Sequence, residues 1–455
     1  MPRAYRLAED RIPTAWYNLG ADLPGGPRIH RLPDGNEVRP EQMHAIFPPT
    51  VVEQEMSRER WIDIPGPVRE LLRTWRPTPL VRARRFEEAL DTPARIWFKD
   101  ESVSPAGSHK PNTAVAQAYY NKEAGIERIT TETGAGQWGS ALSYACSQFD
   151  LQCQVFMVRV SYDQKPQRKT MMRVWGGECL PSPSDQTEFG RRILAERPGT
   201  PGSLGIAISE AVEAAVSDAS GKTRYGLGSV LNHVMLHQTV IGLEAEEQLA
   251  EAGIERPDLV IGAAGGGSNF AGLAFPFVKR RLAGEDIRIV PVEPAACPTL
   301  TRGPYVWDHG DCAAMTPLLA MHSLGHDWVP PALHAGGLRY HGMAPLVSQA
   351  VAEGLMQPQA VQQTECFEAA VLWARSEGYI PAPETSHALA AVARAARQAA
   401  ADEQAIDIVF TYSGHGLLDL SSYEKYLEGE LPASAMDDTS LEQTLTAVHK
   451  GCATV

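Results

Sequence analysis

Between Arg95 and Gly414, short runs rich in β-branched and aromatic residues alternate with segments of helical period, and no other feature restricts the fold as much. The strand-like runs are "ARIWFKDE", "RITTETG", "QCQVFMVRV", "DLVIGAA", "IRIVPVEP" and "AIDIVFTYSG". Helical runs follow Pro111 and continue through "QWGSALSYACSQF", "VLNHVMLHQTVIGLEAEEQLAEAG", "TECFEAAVLWARSEG" and "SHALAAVARAARQAA". Strands joined through helices pair in parallel, because a tight turn only returns the chain antiparallel. The expected fold class is α/β, with parallel sheets covered by helices and two such units sharing one cleft. A chain of 455 residues is long enough for two or three such units. Residues 1–60, rich in Pro, Gly and charge with little periodicity, are expected to drape over the core as an extension.

The balance of 41 basic against 55 acidic residues leaves a formal charge of −14, which argues against nucleic acid and anionic membrane as partners and favours a small molecule. The most apolar stretch, "DLVIGAAGGGSNFAGLAFPF", is interrupted by Gly, Ser and Asn and is not a membrane span. The start "MPRAYRLAEDRIP" has no continuous apolar segment, so neither a signal nor a transit peptide is expected there. Seven cysteines without a CxxC pair or a grouping with His predict a reduced, cytoplasmic protein with no metal site.

Within "VSPAGSHKPNTAVAQAY" a lysine precedes the proline that opens a helix. Proline suits the first helical position and pushes its predecessor toward extended geometry, so Lys110 is expected to be an extended N-cap, with helix over 112–121. A helix N-terminus favours anions, and an ammonium is misplaced there. Two readings remain: a solvated surface lysine, or an amine of lowered pKa that forms an imine with a carbonyl cofactor.

Four loops after strand-like runs carry glycine and polar residues, where open α/β sheets bind ligands. In "GAAGGGSNFAG" the glycines 265–267, with Ser268 and Asn269, are either a cup for one phosphate monoester or a glycine-rich turn that merely packs. The dinucleotide pattern fails because position 270 is Phe, and GK[ST] is absent. In "TETGAGQWGSA", Glu132 precedes the backbone donors of Thr133 to Trp138, which suit a substrate carboxylate; Glu132 itself is either a proton carrier or a solvated loop residue. "IPAPETSHA" and "FTYSGHGLLD" complete the set, and Ser413 is either a turn residue or a hydroxyl facing a pyridine nitrogen.

In this order and spacing, "SHKPN", "TETGAGQWG", "GGGSNFAG", "PETSHA" and "SGHG" resemble the tryptophan synthase beta chain, a pyridoxal-phosphate enzyme of fold type II. "MVRVSYDQKPQRKTMM", "PGSLGIAISEA", "YGLGSVLNHVMLHQTVIGLEA" and "HAGGLRYHGMAPLVS" resemble its longer, second type, and the likeness spans about residues 60–430. The resemblance implies that Lys110 carries the pyridoxal 5'-phosphate as an imine and moves the Cα proton. It also implies that His109, Asn112, Gly265, Gly266, Gly267, Ser268, Asn269, Glu384 and Ser413 surround the cofactor. Glu132 corresponds to the acid/base, and Thr133, Gly134, Ala135, Gly136, Gln137 and Trp138 to the substrate site. The implied reaction joins L-serine and indole into L-tryptophan and water, and Ser413, by leaving the pyridine uncharged, favours replacement over transamination.

The resemblance further implies a two-domain fold with the active site between domains: an extension (1–60), a larger cofactor-binding domain (61–108 and 229–455) and a smaller mobile domain (109–228). It also implies a homodimer, weak or absent pairing with an alpha subunit, and room for a monovalent cation. Four positions, in three segments, differ from one or the other type of the family, Trp138 being shared with the longer type. Leu417 and Leu418 are expected to form a greasy wall for the nucleophile, Trp138 replaces a His of the common chain, and Arg339 stands where that chain has an acid. A β-replacement with another nucleophile or a phosphorylated donor, a serine/threonine dehydratase on the same fold, and a non-catalytic cofactor-binding protein remain as alternatives.

Overall fold

The computed structural model describes residues 2–331 and 333–455; Met1, with which the expected extension begins, and Ala332 lie outside them. A seven-stranded sheet runs in the order Ala4–Tyr5, Leu80–Arg82, Arg95–Asp100, Asp407–Tyr412, Leu259–Ala263, Arg288–Pro294, Gln359–Val361. Its five last-named strands are parallel, with Asp407 beside Arg95 and Leu259 beside Ile408 and Arg288. A four-stranded, wholly parallel sheet has the order Glu178–Ser182, Gln152–Val158, Arg128–Thr133, Thr223–Tyr225. The central strands Leu259–Ala263 and Asp407–Tyr412 are buried along their whole length, which is why they read as continuous apolar runs without alternation.

Helices cover both sheets. Among them are Pro111–Glu123, Gln137–Gln148, Ser268–Leu282, Gln363–Glu377 and Pro383–Ala401, each near its expected place. The structure corrects the sequence reading in three respects. Lys110 is the N-cap of the helix Pro111–Glu123, as expected, but its backbone is αR rather than extended, with φ −64° and ψ −31°, and its carbonyl accepts the first intrahelical bond from the N–H of Ala114 at 3.2 Å. The single helix expected from Val230 is two, Asn232–Gln238 and Val240–Glu251. Thr239 divides them: its hydroxyl and its N–H both bond to the carbonyl of Leu236, at 2.7 and 3.0 Å, and its Oγ1 accepts from the Tyr17 N–H.

Third, the extension is not draped over the core but forms part of it. Trp16, Tyr17, Leu19 and Val52 are fully buried, and Trp16 packs on His237 with the rings tilted at 47° and their centroids 4.6 Å apart. Burial of two aromatic side chains offsets the ordering of a segment that has little secondary structure of its own. Among the described residues, no helix is long and apolar enough to cross a membrane.

Candidate active site

Lys110 stands where two cavities meet. One is polar, lined by Ser108, His109, the loop Gly265–Asn269, Glu384 and Ser413. The other is mixed, lined by Glu132, Thr133, Gly134, Ala135, Trp138 and apolar side chains. Lys110, Gln137, Ser229, Gly266 and Gly337 face both. Burial lowers the Lys110 amine to about 8, against the attraction of Glu384 and Glu132, so the free-amine form that an imine requires is within reach near neutrality.

The polar cavity is shaped by backbone conformations that only particular residues tolerate. Gly267 caps the helix Ser268–Leu282 with φ +103°. At Gly266 a Cβ would meet the Oγ of Ser229 at 2.4 Å. Ser229 is held that close by a tight γ-turn, in which Val230 has φ +74° and the Leu231 N–H bonds to the Ser229 carbonyl at 2.9 Å. A β-branched residue with positive φ is strained, and here the strain lies beside both cavities, where it also prevents a helix from starting at Val230.

His109 Nδ1 lies 3.3 Å from the Ser413 carbonyl, which can only accept; Nδ1 therefore carries the proton, and Nε2 accepts from the Ser268 hydroxyl at 3.2 Å. Burial, with Lys110 alongside, holds this imidazole neutral, down to about 3. The Ser413 hydroxyl pairs with Thr385 Oγ1 at 2.7 Å. Glu384 accepts from the Gly337 N–H at 2.8 Å and from the Gln137 amide at 3.0 Å.

The residues present fit a phosphorylated pyridine. A three-glycine loop opens a long helix, with its partial positive charge, at the cavity wall. The Ser108 hydroxyl is buried on the same wall and bonds to no described residue. At the other side, Ser413 can accept from Thr385 and still donate to a ring nitrogen.

In the mixed cavity Glu132 is buried, and burial raises its carboxyl to about 7, against the Tyr225 hydroxyl that donates to Oε2 at 2.5 Å. Thr133 to Ala135 line the cavity, Gly136 caps the helix Gln137–Gln148 with φ +91°, and Trp138 is fixed by an indole N–H bond of 2.7 Å to Thr131 Oγ1. At Gly228 a Cβ would lie 2.4 Å from the Trp138 ring, so the tryptophan packs flat on bare backbone.

Three expectations are corrected here. Leu417 is 57% exposed, and neither it nor Leu418 lines the cavity, because the chain turns outward after Gly416. The apolar wall instead comprises Leu204 and Ile208, one turn apart on the helix Leu204–Val216, together with Leu227 and Tyr340. Arg339 is directed away and donates to the Pro330 carbonyl at 2.9 Å. Asn112 faces away from both cavities into a buried ionic cluster: its amide donates to Glu101 and Gln238, and its carbonyl accepts from Arg76. Sequence reasoning also passed over Ser108, Ser229 and Tyr225. Ser108 is the first residue of the lysine motif "SHKPN"; Leu204 and Ile208 read like any other apolar pair on a helix.

A family model described as pyridoxal-phosphate dependent enzyme matches residues 71–414. The chain is 58% identical over 418 residues to the tryptophan synthase beta chain 2 of Thermotoga maritima, covering 92% of this chain and 98% of that one. To the tryptophan synthase beta chain 2 of Aquifex aeolicus it is 57% identical over 435 residues, covering 94% and 99%. Among solved structures, a fungal L-serine ammonia-lyase from Rhizomucor miehei is similar with a TM-score of 0.59 at 15% identity, over 78% of this chain and 98% of that one. A T.th. threonine deaminase is similar with a TM-score of 0.54 at 19% identity, over 76% and 96%. At these identities the two structures bear on the fold alone.

Proposed function

The chain belongs to the tryptophan synthase beta chain family of the pyridoxal-phosphate dependent enzymes, and from that membership we propose how its own residues serve the conversion of L-serine and indole to L-tryptophan and water. The single observation that carries the assignment of roles is Lys110 at the junction of the two cavities, with Glu132 in the second. Lys110 would hold the cofactor covalently, with the glycine loop, Ser268, Ser108 and Ser229 around its phosphate and Ser413 at its ring nitrogen. When bound, pyridoxal phosphate supplies the electron sink that makes the serine Cα–H acidic.

The residues then divide the proton traffic. The N–H groups of Thr133 to Gln137 orient the serine carboxylate, and Lys110 takes the Cα proton. Glu132, held near neutrality by its burial, gives its proton to the serine hydroxyl, which departs as water. As a carboxylate it next takes the proton that indole loses as the C3–Cβ bond forms, and Lys110 returns the Cα proton. Leu204, Ile208, Leu227, Trp138 and Tyr340 exclude water and receive the flat apolar ring. An acid/base site of one carboxyl thus serves both halves, so atoms and protons balance without a second acid.

Free indole is the proposed nucleophile, with alpha-subunit pairing weak or absent. What supports this is that His30, Met43, Ile46 and Phe47 of the chain's own extension wall an apolar cavity adjoining the site through Ile208, Leu227 and Tyr340. The proposed organisation is a cytoplasmic homodimer whose smaller domain, 109–228, carries the four-stranded sheet, and whose larger one carries the seven-stranded sheet. The test assays L-serine with indole and no other protein. Tryptophan should form in the parent, not in Lys110→Ala, and about 10²-fold more slowly in Glu132→Gln. Parent-like turnover in Lys110→Ala would sink the assignment.

A further inference from the structure

Tyr225 ends the strand Thr223–Tyr225 and is sealed from solvent, and its phenol is directed at the Glu132 carboxyl. Three separate contacts fix it there. Its hydroxyl donates to Glu132 Oε2 at 2.5 Å, its backbone N–H donates to the Ile46 carbonyl at 2.9 Å, and its ring packs on Phe47 with centroids 5.8 Å apart. Two of these come from the extension, so a segment far from the glycine loops determines where the phenol sits. Among the described residues, Glu132 supplies the only carboxyl that lines the mixed cavity.

We propose that Tyr225 is a positioning residue for the reaction: it holds Glu132 by Oε2, leaves Oε1 for the substrate, and keeps the carboxyl able to act first as acid and then as base. The proposal rests on the reading of Glu132 as the proton carrier. A buried carboxyl without a donor would remain protonated across the working range, competent to release water but unable to accept the proton of indole. A hydrogen bond to the charged form offsets part of that burial, and of the groups acting on Glu132 the Tyr225 hydroxyl opposes burial most. The other groups facing this carboxyl are Lys110 from the start of its own helix, Thr131 on the same strand as Glu132, and Tyr340 from the opposite wall, with Asp311 beyond Tyr225. None of them is placed to substitute for the phenol: Tyr340 donates to the Gly310 carbonyl, and the Thr131 hydroxyl reaches the Gly226 carbonyl at 2.5 Å but Glu132 Oε2 only at 3.4 Å.

The experiment compares parent, Tyr225→Phe, Glu132→Gln and the double variant as holoenzymes, recording kcat and both KM values against pH. Loss of the donor should move the limb that reports Glu132 upward by about one pH unit and lower kcat about fivefold near pH 7, as a hydrogen bond to a charged group warrants. KM for serine should stay within twofold, since the carboxylate-binding loop is untouched. In the Glu132→Gln background, Tyr225→Phe should cost nothing further. A parent-like profile for Tyr225→Phe beside an impaired Glu132→Gln overturns the role of Tyr225 and leaves Glu132 standing. Full additivity of the two losses overturns it as well, and a parent-like Glu132→Gln overturns the underlying reading itself. Should Tyr225→Phe fail to fold, the infrared difference between parent and Glu132→Gln reads the same contact: a carboxyl band free of hydrogen bonding refutes the proposal.

Discussion

Lys165 donates to Asp419 at 2.5 Å and so joins the segment after the strand Gln152–Val158 to the loop that follows Ser413. Arg168 reaches the other oxygen of Asp419 at 3.5 Å, and its stem packs under Gly136, where a Cβ would lie 2.7 Å from that of Arg168. Asp419 is 1% exposed, so an ion pair in this place joins the segment under Gly136 to the loop after Ser413 with little solvent screening.

Asp419→Asn is therefore expected to raise KM for serine about tenfold while leaving KM for indole within twofold, because the loop from Thr133 to Gln137 loses its tether and the apolar wall does not. Steady-state kinetics with each substrate varied separately check this. Equal changes in both KM values would show that the pair only supports the fold.

Gly266→Ala should weaken cofactor binding at least tenfold, since the added methyl meets Ser229 Oγ at 2.4 Å and the strained turn at Val230 leaves that serine no room to retreat. Titration of the cofactor-free variant with pyridoxal phosphate, followed by absorbance, measures it. Gly284→Ala, at φ +101° with open space around it, is the control: it should lose some stability and no cofactor affinity.

Glu55 predicts a pH dependence of stability. Burial alone would raise its carboxyl, but His233 and His30, at 2.7 and 2.8 Å, outweigh burial and bring it to about 2 from an ordinary 4.5. A carboxyl depressed in the folded state adds stability that is present above the unfolded value and is lost as pH falls through the folded one. The contribution, about 3 kcal/mol from the size of the shift, should be full above pH 4.5 and nearly gone at pH 2. The gap in melting temperature between parent and Glu55→Gln should narrow over that window. A gap independent of pH would mean that the carboxylate is not what ties the extension to the helix Asn232–Gln238.

By itself the sequence determined the parallel α/β architecture, since strand-helix alternation and glycine loops are local features with local causes: period, β-branching and positive φ. It also determined the family, because "SHKPN", "TETGAGQWG" and "GGGSNFAG" place lysine, carboxylate and glycine loop within short motifs that each open a helix after a strand. Only the tertiary structure decided which side chains complete the site. Tyr225 and Glu132 are 93 residues apart and meet because their strands lie side by side in parallel, a pairing that no local pattern encodes. The apolar wall of the mixed cavity comes from Leu204 and Ile208 rather than from Leu417, since an apolar residue's face is fixed by what packs against its element and not by its own hydropathy. Asn112 was likewise decided by its surroundings. Two residues past the lysine, on the turn that follows it, its amide finds Arg76, Glu101 and Gln238 and satisfies a buried ionic cluster instead of the cofactor.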